Sequence, residues 1–157
     1  KVFAYEPNPY LKDKLKKIEK RYKKLIFYPM GISNKNGKIN YYFKFDKYEN
    51  KIKFDSEGNS IMNEKKNVSQ TEYSKIDCID FKTLVQTTGK VDIIKIDIEG
   101  GEYLIYKDIL KYSNYFNHCI LETHETKLSK NYLDIHLKMV KEINMHPNKD
   151  KFDLNYI

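Results

Sequence analysis

Four acidic residues and one histidine stand where this sequence turns from apolar to polar, and those are positions at which side chains can do chemistry. Glu6 closes the run KVFAYE, Asp97 and Glu99 follow VDIIKI, and Glu122 and His124 follow HCIL. A carboxylate at Asp97 or Glu99 could take a proton from a hydroxyl, bind a divalent cation or balance a positive ligand. The plain alternative is that either one caps a helix beginning near Glu102. Glu122 and His124 lie two residues apart and so project to one side of an extended chain. Beside Asp97 they form a candidate acid/base group, with His124 as proton acceptor because an ordinary imidazole titrates near neutrality. A hydrogen-bonded strand-end histidine is the alternative. Gly100 and Gly101, directly after Glu99, permit a positive φ or the close approach of a ligand. Lys95, in the middle of an apolar run, needs a carboxylate such as Glu102 or Glu122 beside it.

Those residues matter only if elements bring them together. Val2 to Glu6 reads as a short strand, and Asn8 and Pro9 as the cap and first residue of a helix with its apolar stripe at Leu11, Leu15, Ile18 and Tyr22. LIFYPM (25–30) is the next strand, and Asn34-Lys35-Asn36-Gly37 turns into the strand GKINYYF. Residues 46–68 are polar with few apolar anchors, which predicts a long loop or irregular hairpin, of a length that is usually functional or mobile. A strand over 69–76 and a short helix over 80–87, ended by Gly89, follow. Val91 to Asp97 is apolar on both faces, as in a central parallel strand, and Gly100-Gly101 breaks it into a helix over 102–112. A strand at 118–122 and a helix with Leu128, Tyr132, Ile135, Met139 and Ile143 on one face complete the pattern. Alternating strands and helices imply right-handed crossovers and an α/β, Rossmann-like fold: a mostly parallel sheet covered by helices on both faces. Ligands in such folds sit at the carboxyl ends of the strands, which is where the five residues fall.

Composition narrows the class further. With 157 residues, 40% of them apolar, the chain suits one compact domain, and no run of eighteen apolar residues is present to span a bilayer. The net charge of +7 is unevenly spread. Eight basic residues stand against Asp13 and Glu19 between Pro9 and Lys24, whereas the stretch from Val91 to Thr126 has seven acidic residues against Lys95, Lys107 and Lys111. A site in the second stretch favours cations. The basic segment is a solvated helix face, or else a contact surface for RNA, which would make the chain an RNA-binding or RNA methyltransferase domain; nearly all of its charge is Lys, with Arg21 alone, and nucleic acid is not the expected partner. Cys78 and Cys119 sit in apolar strand-like stretches and read as buried thiols of a reducing, cytoplasmic compartment. The four histidines have no HxxxH or HExxH spacing and the two cysteines make no zinc knuckle, so no metal is expected, although Asp97 with Glu122 or His124 has the chemistry to hold Mg²⁺ or a similar ion.

The order VFAYEPNP, GISNKNGKINYYF, VDIIKIDIEGGE and LETHE resembles the FkbM family of S-adenosylmethionine-dependent methyltransferases from Val2 to about Glu125, with KIDIEGGE as its most specific element. The resemblance implies a class I methyltransferase fold, S-adenosylmethionine as cofactor and a small-molecule or glycan hydroxyl as methyl acceptor. It implies that Glu6, with Asn8 in the same EPNP element, holds the cofactor's ribose, that Gly31, Ile32 and Ser33 lie along its adenosine edge, and that Asp97 stands beside the transferred methyl. Asp97, Glu122 and His124 are then the catalytic candidates. In nucleotide folds a strand-end carboxylate that accepts from ribose follows a glycine-rich loop by about twenty residues. No such loop precedes Glu6, so the chain is expected to be one N-terminally truncated domain over 1–157, lacking the first strand and that loop; a truncated, non-catalytic relic is the remaining alternative. A targeting segment, if the gene encodes one, would also lie before Lys1.

Overall fold

A computed structural model describes residues 1–154. It is an α/β structure whose strands form three separate hydrogen-bonded groups. In the first, β1 (Val2–Tyr5) and β2 (Leu25–Tyr28) pair in parallel across helix α1 (Lys12–Arg21). The second has the order β3-β6-β4-β5, from β3 (Gly31–Ser33), β4 (Gly37–Asp46), β5 (Lys51–Lys53) and β6 (Val68–Asp80). Here β3 is parallel to β6, but β4 is antiparallel to both β5 and β6. In the third, β7 (Val91–Ile96), β8 (Phe116–Leu121) and β9 (Phe152–Asp153) are parallel. Helices α2 (Phe81–Thr88), α3 (Glu102–Lys111) and α4 (Asn131–Met145) complete the order.

The expected helix and strand alternation is present, and the sheet system is mixed. The departure lies at residues 25–80, where LIFYPM does not run on as one strand. It ends at Tyr28, and Gly31–Ser33 starts afresh against the far end of β6, so that Gly31 pairs with Cys78 in parallel. The 34–37 turn therefore does not close a simple hairpin, because β6 inserts between the two strands it connects. Helix α1 begins at Lys12, later than the Asn8-Pro9 cap predicts: the Asn8 side chain accepts from the Tyr10 amide and donates to the Phe54 carbonyl, a local turn that competes with helix initiation. None of α1 is buried, so its lysines form a solvated face.

Helix α2 starts one residue after the expected Asp80, which serves as its N-cap instead. The Asp80 carboxylate accepts from the Thr83 amide at 2.7 Å, which holds the carboxyl below its usual range, and Gly89 ends the helix at φ +70°. Asp80→Ala is expected to cost about 1 kcal/mol in urea unfolding, the usual worth of an N-cap; an unchanged midpoint would show that the cap contributes nothing.

The main core lies between α2, α3, α4 and β8. Phe81, Ile105, Phe116, Cys119, Leu121 and Met139 are wholly sealed there. A smaller cluster of Tyr41, Phe43 and Ile76 sits on β4 and β6. Both cysteines are free and buried, and burial pushes the Cys119 thiol up to about 12. Strand β7 differs from the central strand that its apolar run predicts. Among the described residues it is an edge of its sheet, pairing with β8 on one side and with nothing on the other, and Ile93 is 63% exposed. The free side of β1 is likewise unpaired among the described residues. No described helix is long and apolar enough to cross a membrane.

An acidic cleft where the strands end

Parallel pairing sets the site. Ile96 of β7 is in register with Leu121 of β8, so Asp97 and Glu122 leave the sheet side by side, and the Glu122 amide donates to the Ile96 carbonyl at 3.0 Å. Two residues on, His124 turns inward and is only 2% exposed. Its Nδ1 lies 2.6 Å from Oε1 of Glu102, a carboxylate at the start of α3 with no exposure at all. Its Nε2 has no hydrogen-bond partner and lies 3.5 to 3.8 Å from carboxylate oxygens of Glu99, Asp97 and Glu122. Burial alone would lower the imidazole pKa, but the hydrogen bond and charge of Glu102, with the charge of Glu99, raise it above its ordinary value. Burial and then the Glu122 charge hold the Asp97 carboxyl above the usual carboxylate range, with Glu99 adding to this and His124 and Lys95 opposing it.

The turn carrying Glu99 is held from several sides. Glu99 has φ +55°, a conformation that a non-glycine residue keeps only when its surroundings impose it. Ser60 Oγ donates to the Glu99 carbonyl at 2.7 Å, and the buried Lys65 ammonium pairs with the Glu99 carboxylate while also donating to the Gly58 carbonyl at 2.8 Å. Gly100, at φ +105°, and Gly101 complete the turn; a Cβ at Gly101 would meet Ile98 and Ile61 at 3.0 to 3.1 Å. Neither Asp97 nor Glu99 caps α3, whose N-cap Gly101 has no side-chain partner, so the helix-capping alternative falls away. Lys95 lies 3.8 Å from both Asp97 and Glu122 rather than from Glu102.

A cleft that shares Asp97 and Glu99 with this cluster, but is lined by neither Glu122 nor His124, reaches the end of β1. Glu6, Gly31, Ile32 and Asp97 line it together, along with Tyr5, Tyr41, Glu57 and Glu99. Glu6 accepts from the Asn8 amide at 2.8 Å, and its carboxyl is raised by burial, with the nearby Asp97 charge contributing and that hydrogen bond opposing. Tyr41 is pushed well up by burial and by the Glu6 and Glu99 charges. Tyr5 Oη is buried without a partner, and burial, with Tyr28, raises that phenol to about 12. Of the other candidates, Asn8 lies behind the cleft, 1% exposed, with both side-chain groups engaged by backbone. Ser33 is also buried and borders a separate depression beside Lys35 and Asn40. The cleft lining therefore contains four carboxylates, Glu6, Glu57, Asp97 and Glu99, and no lysine or arginine.

Two residues of the site escaped sequence reasoning. Glu102 is one of two carboxylates, with Glu122, that the sequence offers to Lys95; Lys95 approaches Glu122, and Glu102 goes to His124 instead. Lys65 lies in NEKKN, which reads as surface, yet it is 1% exposed. The nearest signal was its position in a long polar segment with little apolar anchoring of its own.

The family model described as the methyltransferase FkbM domain matches residues 1–148 of this chain. No curated protein and no solved structure matches it.

Proposed function

The chain belongs to the FkbM methyltransferase domain family, and on that premise we propose that it moves a methyl group from S-adenosylmethionine to a hydroxyl of a sugar or glycan-like small molecule. The observation that carries the cofactor half is the cleft lining: four carboxylates and no basic side chain, in a protein of net charge +7. Such a surface attracts a sulfonium cation and repels phosphate. The acceptor class rests on the family resemblance.

When bound, S-adenosylmethionine supplies an electrophilic methyl carbon, whose bond to sulfur breaks as the acceptor oxygen bonds to it. In this reading Glu6 accepts hydrogen bonds from the ribose hydroxyls, and Gly31 and Ile32 border the adenosine. Asp97 faces the acceptor and takes the hydroxyl proton, for which its raised carboxyl pKa is suited. Glu122 and His124 fix the position and charge of Asp97. The Rossmann-like arrangement belongs to the same proposal. It is supported by the parallel pairing within β1–β2 and β7–β8–β9 and by the free edges of β1 and β7, which suit a further parallel strand joining the two groups.

Isothermal titration of the full-length protein with S-adenosylmethionine tests the cofactor half. Saturable binding is expected, with Glu6→Ala weakening it about 10- to 100-fold, as loss of hydrogen bonds to a charged acceptor predicts. No binding by the parent protein, or equal binding by the variant, would defeat the assignment.

A further inference from the structure

We propose that His124 Nε2, Asp97 and Glu122 hold a divalent cation, of the Mn²⁺ or Zn²⁺ kind rather than Mg²⁺. The spacing of these residues in sequence gives no metal motif, and the case is one of geometry. One ligand atom from each of the three lies within 4.8 Å of the others. His124 Nε2 stands 3.8 Å from Asp97 Oδ1 and 3.8 Å from Glu122 Oε1. Two ligands at about 2.1 Å from one ion are at most about 4.2 Å apart. Small movements of two partly exposed carboxylates therefore suffice to close on an ion.

Acidic clusters are common without metals, and His124 supplies the independent sign. Its ring is 98% withdrawn from solvent, being 2% exposed, yet Nε2 makes no hydrogen bond and points at the carboxylates. A buried polar atom left without a partner is rare and costly. The opposite nitrogen, Nδ1, is engaged by the fully buried Glu102 at 2.6 Å. Histidines that ligate metals are commonly arranged in this way, with a carboxylate behind the ring fixing the tautomer and aiming the free nitrogen.

The surrounding charges divide the labour. Glu99 also approaches Nε2, at 3.5 Å, but its oxygen is engaged by Lys65 and lies 3.7 Å from Lys127. Lys95 meets Asp97 and Glu122 through Oδ2 and Oε2, which leaves Oδ1 and Oε1 turned toward the histidine. One imidazole and two carboxylates suit a borderline cation better than Mg²⁺, which prefers oxygen ligands and holds its water. An ion here would lie beside the position proposed for the acceptor hydroxyl and would lower that hydroxyl's pKa. This last consequence rests on the methyl-transfer reading, whereas cation binding does not.

The test uses Mn²⁺ alone. Full-length protein treated with chelator is titrated with MnCl₂, and free Mn²⁺ is read by electron paramagnetic resonance, with neither cofactor nor acceptor present. One saturable site is expected, weakened at least tenfold by Asp97→Asn and by Glu122→Gln, with circular dichroism showing that both variants keep the parental fold. These two side chains lie at the surface, so the variants avoid the folding risk of altering His124. Absence of binding up to millimolar Mn²⁺, or binding that either variant leaves unchanged, would overturn the site. Neither result bears on whether S-adenosylmethionine binds.

Discussion

Asp97→Asn is expected to lower the turnover of methyl transfer by about 10²- to 10⁴-fold, the range over which a positioned base contributes. Asparagine has nearly the same shape, so the end of β7 and its register with β8 should persist while the charge is lost. The expectation rests on position more than on residue type. Asp97 borders the cleft and stands next to Glu122, and its carboxyl is raised by burial and by that neighbour, which brings it closer to the pKa useful for accepting a proton near neutrality. Transfer of labelled methyl from S-adenosylmethionine to a sugar hydroxyl, followed under saturating cofactor, is the measurement. Turnover within threefold of the parent protein would remove Asp97 from the chemistry. If a cation is bound as proposed, the same substitution removes a ligand, and added Mn²⁺ should then restore part of the lost turnover.

The largest effect on stability is expected at Glu102. Glu102→Ala removes a fully buried carboxylate and leaves His124 Nδ1 without its partner in a sealed site. Breaking a buried charged pair from one side costs about 3–5 kcal/mol, because the remaining group is stranded away from water. For a protein of this size that is a fall of roughly 6–20 °C in melting temperature. Glu102→Gln still offers an oxygen to the ring and should lose about 1–2 kcal/mol, a neutral hydrogen bond in place of a charged one. Urea unfolding of the two variants separates charge from shape. If the alanine variant lost less than 1 kcal/mol, the pair would contribute nothing to the folded state.

The legibility of this protein in its sequence follows the range of the interactions concerned. Helices α2, α3 and α4 and strands β7 and β8 are visible because their signals are local: the glycines at 89 and 100–101, and apolar spacing. Glu6, Asp97, Glu122 and His124 are visible for a related reason, since a strand that stops in a polar residue fixes where its side chain goes once the strands are parallel. The 25–80 region was misjudged where pairing is non-local. Nothing near Met30 tells that Gly31 will pair with Cys78 rather than continue β2. Val91–Ile96 reads as central from composition, whereas among the described residues it pairs on one side only, since composition does not name a strand's neighbours. The partners Glu102 and Lys65 were missed because a buried charge and a solvated one have the same letter, and only the closing of distant segments distinguishes them.

The ammonium of Lys65 joins the 46–68 segment to the turn at Glu99, and the Lys66 amide adds a bond to the Lys127 carbonyl at 2.9 Å. By its letters, this segment would be the obvious place to splice in an affinity tag, a reporter or a protease site. Lengthening it near Gly58 or Lys65 would instead pull a counter-ion away from Glu99, so grafts belong at Tyr48, whose ring is fully solvated at the tip between β4 and β5.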